Sequence, residues 1–152
     1  MKTVQQILAI KGTQVWSIAP DSTVFAALKL MGEKEVGALA VLENGRLVGI
    51  ISERDYARKV ILKGRTSRDT FVCEIMSTAV ICTQPEQTVE QCMQVMTEKR
   101  IRHLPVVEEE QLVGMISMGD LVKAVIAEQQ FMIEQLESYI TQSPAYAVAS
   151  VL

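Results

Sequence analysis

Two short stretches of the chain carry residue types that could do chemistry. Gly49-x-x-Ser52-x-x-Asp55 and Gly114-x-x-Ser117-x-x-Asp120 are one motif written twice, 65 residues apart. Each lies where an apolar run ends and a helical pattern begins. A glycine there admits close approach of a ligand to the backbone. A serine hydroxyl and free amides at a helix start suit an anion such as phosphate. A carboxylate one turn on can accept two hydrogen bonds from a vicinal diol, such as the 2′- and 3′-hydroxyls of ribose. Together these groups suit a nucleotide. The motif has a second reading: Ser-x-x-Asp is a close variant of the capping box, which stabilises a helix by about 1 kcal/mol with no ligand present. The two roles can coexist.

The motif belongs to a longer repeat. Pro20-x-x-Thr23-Val24 recurs as Pro85-x-x-Thr88-Val89, and Met31-x-Glu33-Lys34 as Met96-x-Glu98-Lys99. Leu47-Val48-Gly49 recurs as Leu112-Val113-Gly114. Two copies imply two similar units packed on each other rather than a solenoid. In each, apolar residues at i, i+3, i+4 and i+7 predict a helix: Val24, Ala27, Leu28, Met31 and Val89, Cys92, Met93, Met96. Its cap is open between Thr23 and Asp21-Ser22 in the first copy, and between Thr88 and Glu86-Gln87 in the second. Apolar runs 38–42 and 47–51 flank Asn44-Gly45, a strong hairpin signal. Runs 104–107 and 112–116 flank Glu108-Glu109-Glu110, which reads as a solvated loop replacing the tight turn. Continuous apolarity suggests strands covered on both faces. Segments 14–18 and 79–83 are candidate extra strands. A helix follows each motif, the first running to a basic last turn and a glycine stop at Lys63-Gly64.

The expected organisation is α+β: repeat one over 1–64, a polar linker at 65–71, repeat two over 72–126, and a C-terminal helical extension and tail at 127–152. Each repeat reads β-α-β-β-α, and the pair packs with pseudo-twofold symmetry. In the extension Val122, Val125, Met132, Ile133, Leu136 and Ile140 keep an apolar face through a stretch lacking Gly and Pro until Pro144. That stripe needs cover from its own domain or a second chain, and a homodimer is the expectation. The apolar tail 145–152 reads as a docking segment rather than an anchor.

The chain has 152 residues, 49% hydrophobic, with a net charge of −3. Two units of roughly 60 residues would be marginal apart, so a shared core is expected. Mild acidity argues against a general nucleic-acid binder. Arg54, Arg58, Lys59, Lys63, Arg65 and Arg68 nevertheless cluster, either as a solvated face or as the wall of a phosphate site. Three cysteines, Cys73, Cys82 and Cys92, have no metal or redox spacing; with no signal peptide visible, a reducing cytoplasm is expected. The apolar runs are too short for a membrane span.

His103 is the only histidine, so no histidine-based metal site is expected. A Cys82–His103 nucleophile pair has no local signature. No candidate nucleophile has an orienting base, and no enzyme activity is expected. Trp16 could stack on a base or serve as a core aromatic.

The whole grammar resembles a tandem pair of CBS (cystathionine β-synthase) domains, the Bateman module, of the small stand-alone bacterial type. The marks are Val4-x-x-Ile7-Leu8 and Val72-x-x-Ile75-Met76 as lead-ins, Arg102-His103-Leu104-Pro105-Val106, and the doubled motif. The resemblance covers 4 to about 126. It implies a regulatory signal-transduction module with two clefts that bind adenosine-containing ligands such as AMP, ADP, ATP, NAD or S-adenosylmethionine. Asp55 and Asp120 would hold the riboses, and Ser52 and Ser117 the phosphates. Adenine would lie on the partner repeat: against Lys11, Val15, Trp16, Gly37, Ala38 and Leu39 for the Asp120 cleft. For the Asp55 cleft it would lie against Val80, Ile81, Arg102, His103 and Leu104. Ile50 and Met115 would line the ring pockets. Arg102-His103 stands where the first copy has Gly37-Ala38, and Arg54 is an added phosphate partner, so the two sites should differ. No effector domain is recognisable in the sequence, so output is expected through an unknown effector protein or the dimer's geometry.

Overall fold

Val24, Ala27 and Met31 are buried along α2 (Val24–Lys34), and Val89, Cys92 and Met96 along α5 (Val89–Lys99), in a computed structural model that describes residues 2–142. The threonines settle the caps. Thr23 Oγ1 accepts the Ala26 amide at 3.1 Å. Thr88 Oγ1 accepts the Gln91 amide at 3.2 Å, and the Gln91 side chain accepts the Thr88 amide at 2.9 Å, a complete capping box.

The two hairpins are β2 (Ala38–Glu43) with β3 (Arg46–Ser52), and β4 (His103–Glu108) with β5 (Gln111–Ser117). Their registers correspond: Ala38 faces Ser52 as His103 faces Ser117. Asn44 and Gly45 turn with φ of 52° and 77°. The expected loop at Glu108–Glu110 is instead an equally tight turn, with Glu109 and Glu110 at φ of 50° and 64°. The strand register dictates a two-residue connection whatever the side chains prefer.

The extra strand differs between copies. β1 (Ser17–Ile18) pairs parallel with β2, making a three-stranded sheet. Segment 79–83 does not form a strand; a single bridge joins Thr83 to Val106. In the first copy the Ala40 amide donates to the Trp16 carbonyl at 3.2 Å. Position 105 answers to 40 and is proline, which has no N–H to give. Only the two bonds made by Thr83 survive.

The helix after the first motif is shorter than expected. α3 (Glu53–Lys59) stops at Lys59, and a 3-10 turn at Ile61–Lys63 closes on Gly64 at φ 70°. The linker packs firmly: Thr70 is buried, and the Thr70 and Ser67 carbonyls accept the first amides of α2.

The lead-ins are short helices that the spacing did not reveal: α1 (Val4–Lys11) and α4 (Val72–Ile75). They cross over. Val4, Ile7 and Leu8 sit in one core with Val89, Met96, Ile116 and Leu121. Val72 and Ile75 sit in the other with Val24, Met31 and Ile51. Matching bonds hold the exchange: Val4 N–H to Gln87 O at 2.8 Å, and Val72 N–H to Ser22 O at 2.8 Å. The last helix, α6 (Met118–Gln142), buries Leu121 and Ala124 and then runs on exposed. Among the described residues no helix is long and apolar enough to cross a membrane. The tail 145–152 lies outside the described residues.

Candidate ligand clefts between the repeats

Both motifs form real caps. The Ser52 amide donates to Asp55 Oδ2 at 2.9 Å and the Asp55 amide to Ser52 Oγ at 3.3 Å. The Ser117 amide donates to Asp120 Oδ2 at 2.8 Å and the Asp120 amide to Ser117 Oγ at 3.2 Å. The carboxylates are thereby fixed in rotamer, and each keeps lone pairs that its cap does not use, so capping does not exclude a binding role.

Each cap opens on a cavity whose far wall comes from the other repeat. The first holds about 520 Å³. Ile50, Ser52, Arg54 and Asp55 form one side; Val80, Ile81, Arg102 and His103 form the other. The second holds about 370 Å³, with Met115, Ser117 and Asp120 facing Lys11, Val15, Trp16, Gly37 and Ala38. Gly37 and His103 line both cavities. A Cβ on Gly37 would sit 3.5 Å from the imidazole, so this contact is where the clefts meet.

Two expected contacts fall elsewhere. Leu39 and Leu104 are fully buried in the two cores. They follow Ala38 and His103 by one residue, and strand alternation turns them to the opposite face. The motif glycines also do something other than admit a ligand. A Cβ on Gly49 would meet Met76 Sδ at 2.6 Å and the Ser77 carbonyl at 3.0 Å; one on Gly114 would meet Leu8 Cδ2 at 2.8 Å. Both make room for the exchanged lead-in segments. Cys82 lines a separate cavity with Cys92, and His103 is not among the residues around it. One face of the Trp16 ring carries the Lys34 ammonium, 4.3 Å from its centre.

The basic cluster divides. Arg54, Arg58 and Lys59 line the first cavity. Arg65 pairs with Glu74 at 2.7 Å, and Arg68 lies over Phe25. Sequence reading missed Ser77, Arg100 and Ile101 in this cavity, and Gln14 and Glu35 in the second. Arg100 and Glu35 are the left-handed residues closing α5 and α2, equivalent positions in the repeat, so the doubling itself was a usable signal.

The family model for the CBS domain matches residues 9–62 and 72–127. The chain belongs to the CBS domain family. A mitochondrial CBS domain-containing protein of Arabidopsis thaliana is 43% identical over 134 aligned positions, an alignment that covers 85% of this chain and 65% of that protein. A CBS domain-containing protein of Bacillus subtilis is 38% identical over 109 residues, 72% of this chain and 77% of that one. A solved CBS-domain structure from Burkholderia ambifaria superposes with a TM-score of 0.82 at 47% identity, covering 84% of this chain and 96% of that one.

The two clefts of this CBS pair are held in different ways. In the first, Lys59 Nζ pairs with Asp55 Oδ1 at 3.0 Å and donates to the Ile75 carbonyl at 2.8 Å. Arg54 reaches across to donate to the Arg100 carbonyl at 3.1 Å. In the second, Lys11 Nζ donates to Asp120 Oδ2 at 2.6 Å and to the Met115 carbonyl at 2.7 Å. Burial works to raise the Asp120 carboxyl, but hydrogen bonds from Lys11 and the Ser117 amide outweigh it and hold the group below its ordinary value. His103 is lowered, first by burial, then by Lys11, with Arg102 adding to the effect and Asp120 opposing it. The imidazole is therefore neutral at neutral pH and can accept a hydrogen bond.

Proposed function

We infer that this CBS pair is a non-catalytic regulatory module that binds adenosine-containing ligands in its two clefts and acts as a homodimer. The carrying observation is the pair of carboxylates, Asp55 and Asp120, each fixed by its own cap at the mouth of a cavity walled by both repeats. Cavities of 520 and 370 Å³ are in the range that encloses small ligands. A ribose would take hydrogen bonds at each carboxylate, and the base would lie on the partner repeat. A ligand that touches both repeats favours one relative arrangement only by binding it more tightly.

A solved CBS domain pair with a TM-score of 0.74 is in complex with 5′-methylthioadenosine and S-adenosylmethionine. It is 22% identical, so that likeness carries the fold, and the ligand class here rests on the clefts. The exposed apolar face of α6 supports a second copy as the dimer partner, with an effector protein reading the result. Three free thiols suit a reducing compartment, and we place the module in the cytoplasm.

The test is mass spectrometry of whatever co-purifies with the folded protein, then calorimetry with AMP, ATP, NAD and S-adenosylmethionine on nucleotide-free protein. Heat from at least one supports the reading. Silence from all four sinks it and leaves a dimerisation module whose Ser-x-x-Asp pairs are only caps.

A further inference from the structure

We propose that the two clefts sort adenosine compounds by charge: the Asp55 cleft takes a nucleoside polyphosphate, and the Asp120 cleft takes a phosphate-free adenosyl compound, neutral or cationic at its 5′ substituent. The inference rests on the adenosine reading above and goes further by giving each cleft its ligand class.

The walls carry opposite charge. Around the first cavity stand five cations, Arg54, Arg58, Lys59, Arg100 and Arg102, against the two carboxylates Glu53 and Asp55. Lys59 is matched by Asp55, but Arg58 and Arg102 are exposed on opposite walls, one from each repeat. A polyphosphate in this cavity would face cations from both repeats. A cleft of one sign with protein walls focuses its field and raises the local concentration of the opposite ion.

Around the second cavity Lys11 faces two carboxylates, Glu35 and Asp120. That cation is already engaged, held by Asp120 Oδ2 at 2.6 Å and the Met115 carbonyl at 2.7 Å. A phosphate arriving here would meet Glu35 and would have to draw Lys11 from both acceptors. A sulfonium or an uncharged thioether would meet no such opposition. The cavity is also smaller, about 370 Å³ against 520 Å³.

The experiment is calorimetry with ATP and S-adenosylmethionine on the full chain and on three sets of variants. Arg58→Glu with Arg102→Glu, both at exposed positions, should weaken ATP about tenfold or more and leave S-adenosylmethionine within about twofold. Asp120→Ala should do the reverse. ATP affinity should fall steeply with added salt, and S-adenosylmethionine affinity should barely move. Should Asp120→Ala misfold through loss of its cap, Glu35→Lys at an exposed helix end answers the same question. It should admit ATP to the second cleft as an additional binding event. If S-adenosylmethionine follows Arg58 and Arg102, or ATP follows Asp120, the division is overturned while the adenosine reading stands. No heat from either compound or from AMP and NAD overturns both.

Discussion

The Lys11 ammonium lies 2.6 Å from Asp120 Oδ2, although the two residues are 109 apart in sequence. It ties the end of the first lead-in helix to the carboxylate of the second motif. The first copy has no equivalent, because in the register of the two lead-ins Ala79 stands where Lys11 would recur; there the Ile50 and Ser77 backbones exchange hydrogen bonds of 3.0 and 2.9 Å instead.

Lys11→Met should therefore lower stability by about 1 kcal/mol at neutral pH, a modest value because both groups keep some contact with water. Asp120 has a depressed folded value, so its contribution is full above the ordinary 3.8 and is lost as pH falls through the folded value. Urea unfolding of wild type and variant should give midpoints that converge in acid. A gap that stays constant to low pH would mean the pair contributes nothing electrostatic.

Gly49→Ala and Gly114→Ala should each cost about 1–3 kcal/mol through overpacking against the lead-ins. Gly49 should be the worse, since one of its neighbours is the Ser77 carbonyl, which cannot rotate away. Thermal unfolding measures this directly. Unchanged stability with lost ligand binding would restore the ligand-approach role instead.

Replacing Glu109-Glu110 with Asn-Gly, the pair already at the corresponding turn, should raise stability by about 1 kcal/mol. The left-handed region strains a side chain that glycine lacks. The denaturant midpoint should rise with an unchanged slope.

The single histidine gives an isolated NMR probe. In the free protein His103 should titrate below the ordinary 6.5. The unfolded chain then takes up the proton first, so His103 contributes fully above 6.5 and its contribution is lost as pH falls below that value. Polyphosphate beside the ring should move its titration upward. A value at or above 6.5 without ligand would contradict the half-buried placement.

Phe131, Met132 and Leu136 on α6 are 60%, 57% and 60% exposed. Leu136→Glu should convert a dimer to a monomer in sedimentation equilibrium with little change in the melting of the two cores. A wild-type chain that sediments as a monomer at high concentration would remove the dimer.

Much of this architecture is legible in the sequence. The repeat placed both hairpins and both Ser-x-x-Asp helix starts because one local grammar is written twice. Strand alternation could have removed Leu39 and Leu104 from the site, and Pro105 could have warned that the second copy's outer strand would fail. The rest is long-range. An eight-residue and a four-residue helix are too short for periodicity to declare them, and their exchange has no local trace. The Lys11–Asp120 contact follows from that exchange. The motif glycines looked like ligand positions because the groups that crowd them, Met76 and Leu8, lie far off in the chain.

That exchange also sets the order in which the protein can come into being. Leu8 must wait for Gly114 and Ile116 to be made before its core exists. At roughly 5–20 residues per second of synthesis, α1 spends on the order of ten seconds without its partner. The first repeat can gather around α4 as soon as residue 75 is available. Folding on the ribosome should therefore be staggered, with the N-terminal helix docking last, and cutting the chain at the linker should leave two halves that each lack a piece of their own interior.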